Sequence, residues 1–137
     1  MANVLNLEVV TPAKVLLKEE IMSLIVPATE GYLGVLFNHA PLITGLKPGI
    51  IKYRQGEELN VLSISKGFME VADNVVTILV DTAEKPEDVD VDRAKAAKER
   101  AAKRLHEHHP GIDVQRAEVA LYKAIARIEA AEYSKHS

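Results

Sequence analysis

The sequence predicts an α+β chain in which the two classes are segregated: a β-sandwich or barrel first, an α-helical hairpin second. Three observations predict it. Many short apolar-rich stretches with frequent turn signals, and no helical period among them, fill the first part of the chain. Alanine-rich stretches with apolar residues three and four apart fill the last part. Between them, Lys85–Ala94 (KPEDVDVDRA) changes the composition: six of the seven glycines precede it. The charge divides there too, with 6 basic and 10 acidic residues before Lys85 and 11 basic and 10 acidic from Lys85 on. Two modules follow, residues 1–84 and 85–137.

In the first module, LNLEVV (Leu5–Val10) alternates as a half-buried strand does. Val15–Leu17 predicts a short strand, and Ile21–Val26 another that stops at Pro27. Glu30–Leu36 carries two glycines three apart, which suggests tight turns with close backbone approach. Asn38-His39-Ala40-Pro41 reads as a turn, with strands Leu42–Leu46 and Gly49–Arg54 after it. Gln55–Glu58 has the composition of a hairpin turn before Leu59–Ser65. Gly67–Val71 and Val75–Val80 pair across Asp73-Asn74, residue types that tolerate positive φ.

In the second module, Pro86-Glu87-Asp88 ends the strand run. Asp88 or Asp90 can cap a helix, with Asp92 in its electropositive first turn. Val91, Ala94, Ala97, Ala101 and Leu105 form its apolar stripe, and Pro110-Gly111 stops it. Asp113 is placed to cap a second helix, with Ile112 as a staple residue before it. The second stripe is Val114, Ala117, Leu121, Ala124, Ile128 and Ala131, a heptad-like seam. A short Pro-Gly turn between two helices predicts antiparallel packing. A seam made mostly of alanine buries little apolar area, at about 25 cal/mol per Å². The hairpin is therefore expected to be held weakly and to be a candidate for rearrangement.

Composition excludes several functions. The chain has 137 residues, 47% hydrophobic, with a net charge of −3, which argues against nucleic-acid binding. Aromatics are 4% with no Trp, which disfavours a stacking platform. With no Cys, disulfides, thiolate metal sites and cysteine catalysis are ruled out. Neither a signal peptide nor an apolar run of membrane-spanning length is evident, so a soluble, cytosolic protein without direct membrane insertion is expected. There is no nucleophile–base pair, no usefully spaced carboxylate pair and no phosphate loop, so no catalytic residue is assigned.

Two clusters remain. His106, His108 and His109 near a helix end could bind a metal, but such histidines also suit the helix dipole, and no metal site is assigned. Folding the hairpin about Pro110 sets Arg93 across the seam from a position near residue 126. That brings Lys123 and Arg127, an i,i+4 pair, close to Arg93 beside a helix N-terminus, an arrangement suited to an anion. The competing account is a solvated basic face compensated by Asp90, Asp92 and Glu129.

Several motifs in order resemble those of the epsilon subunit of bacterial F-type ATP synthases, over nearly the whole chain. They are Glu30-Gly31-Tyr32-Leu33-Gly34-Val35-Leu36, Asn38-His39-Ala40-Pro41-Leu42, Ser65-Lys66-Gly67-Phe68-Met69-Glu70-Val71, Val76-Thr77-Ile78-Leu79 and Asp90-Val91-Asp92-Arg93-Ala94. The last is similar to the Ile/Leu-Asp-x-x-Arg-Ala signature of members that bind ATP. The resemblance implies an antiparallel sandwich of about ten strands followed by the helical hairpin. It implies a non-catalytic rotor subunit of a proton-translocating synthase, peripheral on the cytoplasmic face of the bacterial cell membrane. Its partners would be the gamma subunit, the c-subunit ring and, with the hairpin extended, the alpha and beta subunits, where it blocks ATP hydrolysis.

Carried residue by residue, the family's ATP site falls on Glu84, Asp90, Arg93, Ala94, Lys123 and Arg127, with Mg as a possible companion of the nucleotide. Rotor contacts fall on Tyr32 and His39. The chain departs from the family pattern in several places. Lys123 stands where Arg is frequent, which loses the forked geometry. Val89 replaces Ile or Leu, Tyr32 replaces Glu, and Phe37-Asn38 replaces Pro-Gly. The alternative function is a free-standing nucleotide-binding regulatory protein.

Overall fold

The computed structural model describes residues 3–107 and 113–135. Ten strands precede two helices: β1 (Leu5–Val10), β2 (Val15–Ile21), β3 (Ser23–Ala28), β4 (Gly31–Leu36), β5 (Leu42–Leu46), β6 (Gly49–Gln55), β7 (Glu58–Ile64), β8 (Gly67–Ala72), β9 (Val75–Val80) and β10 (Ala83–Glu84). A 3₁₀ turn, Pro86–Asp88, leads into α1 (Val91–Glu107), and α2 (Val114–Lys135) closes the fold.

The strands lie in the order β10-β7-β6-β3-β5-β8-β9-β1-β2, with β4 on β3. All pairs are antiparallel except β1 with β9, which run parallel. The sheet curls until β2 returns to the end of β6, where Gln55 Nε2 donates to the Glu20 carbonyl (3.2 Å) and to the Glu19 carboxylate. One core fills the interior, and each of β1–β9 contributes to it; Leu5, Leu7, Leu24, Ile51, Leu62, Met69 and Ile78 are among its fully buried side chains. The alternating burial of β1 follows the alternation in its sequence, whereas β9 (VVTILV) alternates in burial although five of its six residues are apolar.

Three strand assignments differ from the sequence expectation. The strand expected over Val15–Leu17 extends to Ile21, paired along its length with β1. β3 does not stop at Pro27. It changes partner there, pairing with β6 through Ile25 and with β5 at Ala28. A proline costs a strand one ladder hydrogen bond, and a change of partner is where that loss is tolerated. The Pro27 carbonyl still accepts from Lys47 N–H at 2.8 Å. Gly34 lies inside β4 rather than in a turn; Gly31, with φ of 127°, opens β4 directly after the Thr29-Glu30 turn.

The Asp73-Asn74 turn has both residues at positive φ, 51° and 63°, as a two-residue hairpin loop requires. Asn74 also ties two turns together: Asn38 N–H donates to its Oδ1 at 2.7 Å. Asn38 is itself at φ 64°, so the Asn38-His39 turn rests against the β8–β9 hairpin.

Asp90 and Asp113 cap the two helices. Asp90 Oδ1 accepts from Arg93 N–H (3.1 Å) and Asp113 Oδ1 from Arg116 N–H (3.0 Å). On α1 the buried and half-buried positions are those of its stripe, with Ala94 and Ala101 fully covered. On α2 the stripe holds at Ala117, Ala124 and Ala131, while Val114 is exposed. The predicted stop at Pro110-Gly111 and the staple at Ile112 lie outside the described residues.

α2 has a second buried face, which its periodicity did not announce. Ala126 and Ala130 are buried, and Ala130 packs on Ile50 of β6 and Val61 of β7. These two strand residues point out of the sandwich, opposite to Ile51 and Leu62, yet stay covered because α2 lies over them. The hairpin is thus folded down on the sandwich, with α2 between β6–β7 and α1.

Candidate functional site

β10 is only two residues long, Ala83 and Glu84, set antiparallel against Ile64 and Ser63. It is held by a preceding clasp in which Ser65 N–H donates to the Thr82 carbonyl (3.0 Å) and Thr82 N–H donates to Ser65 Oγ (2.9 Å). This fixes Glu84 at the edge of the sandwich below α2. Arg127 reaches it with two donors, Nε to Oε1 at 2.5 Å and Nη2 to Oε2 at 3.2 Å. The fork-to-fork geometry is the strongest form of a carboxylate–guanidinium pair. Both side chains are mostly shielded from solvent, 27% exposed for Glu84 and 19% for Arg127. The pair joins the sandwich to the second helix across 43 residues of sequence.

Of the other residues assigned to the site, Asp90, Arg93 and Ala94 stand at the start of α1, and Lys123 lies on α2 one turn before Arg127. Asp90 caps α1 with its side chain, and its carbonyl accepts from Ala94 N–H at 2.9 Å. Ala94 is fully buried, so a larger side chain there would force α1 away from its packing. Arg93, next to it, is exposed. Lys123 is half-buried, and Ala124 and Ala126 between Lys123 and Arg127 are buried. Among the described residues, Arg93 and Lys123 make no ion pair. The counter-charge of Arg127 is Glu84, not Asp90, Asp92 or Glu129.

This set suits a polyanion in part. Arg93 and Lys123 offer uncommitted cationic donors, and Arg127 retains a terminal nitrogen beyond the two that Glu84 holds. Asp90 gives the α1 N-terminus a carboxylate already committed to two roles: its Oδ1 caps, and its charge opposes a second anion. A cavity of about 1060 Å³ opens elsewhere, between α2 and the β6–β7 hairpin, lined by Ile50, Lys52, Glu58, Asn60, Glu132 and Tyr133 among others. Its acidic rim does not match a phosphate ligand.

Tyr32 in β4 is strongly exposed (71%). His39 is half-buried in the following turn, with Nδ1 2.7 Å from the Ala40 carbonyl and its backbone N–H donating to the Leu36 carbonyl. Leu36 and Phe37 are exposed beside them, so this end of the sandwich is an apolar surface. His106 is exposed in the last turn of α1; His108 and His109 lie outside the described residues. Among the described residues no three His, Asp or Glu side chains gather as metal ligands.

Sequence reasoning missed the contact made by the last turn of α2. Tyr133 is half-buried against Ile50, Val61 and Ala130, and Lys52 Nζ sits 5.0 Å from the centre of its ring. No local signal marks this contact, because an aromatic in a polar helix end is equally at home in solvent.

The ATP synthase delta/epsilon chain β-sandwich domain matches residues 4–86, and the long α-helix domain of the same chain matches residues 87–132. An ATP synthase epsilon chain of Desulforamulus reducens is 49% identical over 132 residues, covering 96% of this chain and all of that one. One from Desulfitobacterium hafniense is 52% identical over 131 residues, covering 96% and 98%. A chain in the cryo-EM structure of the Euglena gracilis mitochondrial ATP synthase (OSCP/F1/c-ring, rotational state 1) superposes with a TM-score of 0.81 at 26% identity, covering 99% of this chain and 84% of that one. The chain belongs to the ATP synthase delta/epsilon chain family, as an epsilon-type, non-catalytic subunit.

Proposed function

We propose that this chain is a central-stalk subunit of a proton-translocating F-type ATP synthase, peripheral on the cytoplasmic face of the membrane. In this role the sandwich couples gamma to the c ring, with Tyr32 and His39 in the surface that meets the rotor. No described helix is long and apolar enough to cross a membrane. The hairpin restrains ATP hydrolysis when it leaves the sandwich and extends toward alpha and beta. The observation that carries this reading is the way α2 is held: small alanine contacts, one half-buried aromatic, Tyr133, and one forked ion pair, Arg127–Glu84. Such a helix can be released without dismantling the sandwich core, which contains no helical residue.

Nucleotide binding fits the same geometry. ATP held by Arg93, Lys123 and Arg127, with Glu84, Asp90 and Ala94 around it, would engage both helices and so favour the folded hairpin. It shifts the balance only by its greater affinity for that state. Arg127 would share its guanidinium between Glu84 and phosphate, and Lys123 would act as a point charge rather than a fork.

Calorimetry with ATP, with and without Mg, tests binding to the isolated chain; heat that disappears in Arg93→Ala is expected, and no heat at millimolar ATP would remove the site. Ending the chain after Glu84 is expected to raise ATP hydrolysis by the assembled enzyme, and unchanged hydrolysis would remove the inhibitory role. Co-purification with gamma separates the subunit reading from a free-standing nucleotide-binding protein.

A further inference from the structure

The folded hairpin touches the sandwich through two separate contacts on α2. One is the Arg127–Glu84 pair. The other lies six residues further along, about 9 Å at the helical rise. There Tyr133 and Ala130 cover Ile50 and Val61, which form a small cluster apart from the main core. Lys52, between Ile50 and the β6–β7 turn, places its ammonium 5.0 Å from the Tyr133 ring centre. A cation over the face of an aromatic ring is attracted by the ring quadrupole, and a partly covered ring strengthens that attraction. Ile50 is only 4% exposed and Val61 6%, although both face outward from the sandwich. Their burial is therefore conditional on α2 lying over them.

We infer that Tyr133 and Lys52 are positioning residues that latch the hairpin to the sandwich, independently of the nucleotide residues. The inference rests on the proposal that the hairpin moves, and it names a contact that helps set the resting balance without ligand. The Arg127–Glu84 pair also holds the ligand-free hairpin, but ATP would share its guanidinium, so its strength changes with nucleotide. The contacts of Tyr133 are with Ile50, Val61, Ala130 and Lys52, none of which is assigned to the nucleotide. The latch has a second consequence: its release uncovers Ile50 and Val61, so opening carries a hydrophobic cost on the sandwich side as well as the helix side.

The chain has no cysteine, so two can be introduced for spin labels without background. Exposed positions on α1 and β8, Lys98→Cys and Glu70→Cys, report the hairpin-to-sandwich distance in the full chain without nucleotide. In that background Tyr133→Ala is expected to raise the undocked-to-docked ratio by about tenfold or more. Lys52→Met is expected to raise it about two- to fivefold. Tyr133→Phe, which keeps the ring, is expected to restore the starting distribution. Apparent ATP affinity should persist in Tyr133→Phe and, in Tyr133→Ala, fall only in proportion to the docked fraction lost. A Tyr133→Ala distribution identical to the parent, in a chain where Arg127→Ala does undock, would overturn the latch alone. If neither Arg127→Ala nor Tyr133→Ala separates the labels, the switching reading fails with it. Thermal unfolding of the sandwich serves as the folding check, because Tyr133 contributes nothing to the main core.

Discussion

Arg127 of α2 grips Glu84 of β10 with two nitrogens, at 2.5 and 3.2 Å, and so ties a helix to a two-residue strand that the Ser65–Thr82 clasp fixes to β7. Glu84→Ala leaves a largely shielded guanidinium without its acceptor. The expected loss of docking stability is roughly 1–3 kcal/mol, the range for hydrogen bonds to charged groups. Amide hydrogen exchange is the measurement: α2 should exchange on the order of tenfold faster, with β1 and β9 unchanged. Equal exchange in parent and variant would mean that the pair is energetically idle.

Asp90 has two assigned roles, helix cap and ligand neighbour, and two substitutions separate them. Asp90→Asn keeps a capping oxygen for Arg93 N–H and removes the charge, whereas Asp90→Ala removes both. Helicity by circular dichroism should fall in the alanine variant, by about 1 kcal/mol of α1 stability, and hold in the asparagine variant. Nucleotide affinity should rise in Asp90→Asn if the carboxylate mainly repels phosphate, and fall if it accepts a hydrogen bond from the nucleotide.

Gly67 opens β8 opposite Val80. A Cβ there would lie 2.0 Å from the Leu79 carbonyl oxygen and 2.8 Å from Val80 Cγ1. The oxygen belongs to the paired backbone and cannot turn aside. Gly67→Ala is expected to cost about 3 kcal/mol or more, a drop of roughly 10 °C or more in the sandwich melting temperature. A melting temperature within a degree or two of the parent would show that β8 and β9 can separate at no cost.

Tyr53 is 93% buried by surface area, and its hydroxyl has no hydrogen-bond partner among the described residues. Burial, then the nearby carboxylates of Glu19 and Glu87, push its ionisation up from 10.0 to about 12. The folded state therefore keeps the phenol proton to higher pH than the unfolded state does. The contribution to stability is fully present below pH 10 and is lost as pH rises from 10 toward 12. Tyr53→Phe should be close to neutral at pH 8, because the hydroxyl makes no protein hydrogen bond and is not a buried unsatisfied atom. In denaturant titrations between pH 10 and 12 the variant should lose less stability than the parent; parallel curves would contradict the assignment.

Most of the sandwich could be read from short apolar stretches bounded by turn residues, with clear alternation in β1, because each strand is too short to be a helix and gives one face to a single core. β10 could not, since two residues carry no period, and it is visible only through its pairing with Ser63 and Ile64. The first face of α2 was legible as a seam. The second, Ala126 and Ala130, was not, because alanine occupies buried and exposed positions alike and so marks neither. At the site, the i,i+4 spacing singled out Lys123 and Arg127, and hairpin geometry added Arg93. Glu84 came only from the resemblance to a family: a strand-end carboxylate does not declare a guanidinium 43 residues away.

The buried contacts of the hairpin are almost all alanine: Ala94 and Ala101 on α1, and Ala117, Ala124, Ala126, Ala130 and Ala131 on α2. Alanine has no rotamers to surrender, so these contacts form with almost no loss of side-chain entropy. What remains is the release of water from methyl groups, and that driving force weakens on cooling. A helix pair held this way closes and opens with little rearrangement of its own side chains, and temperature becomes one of the variables that set how long it stays closed.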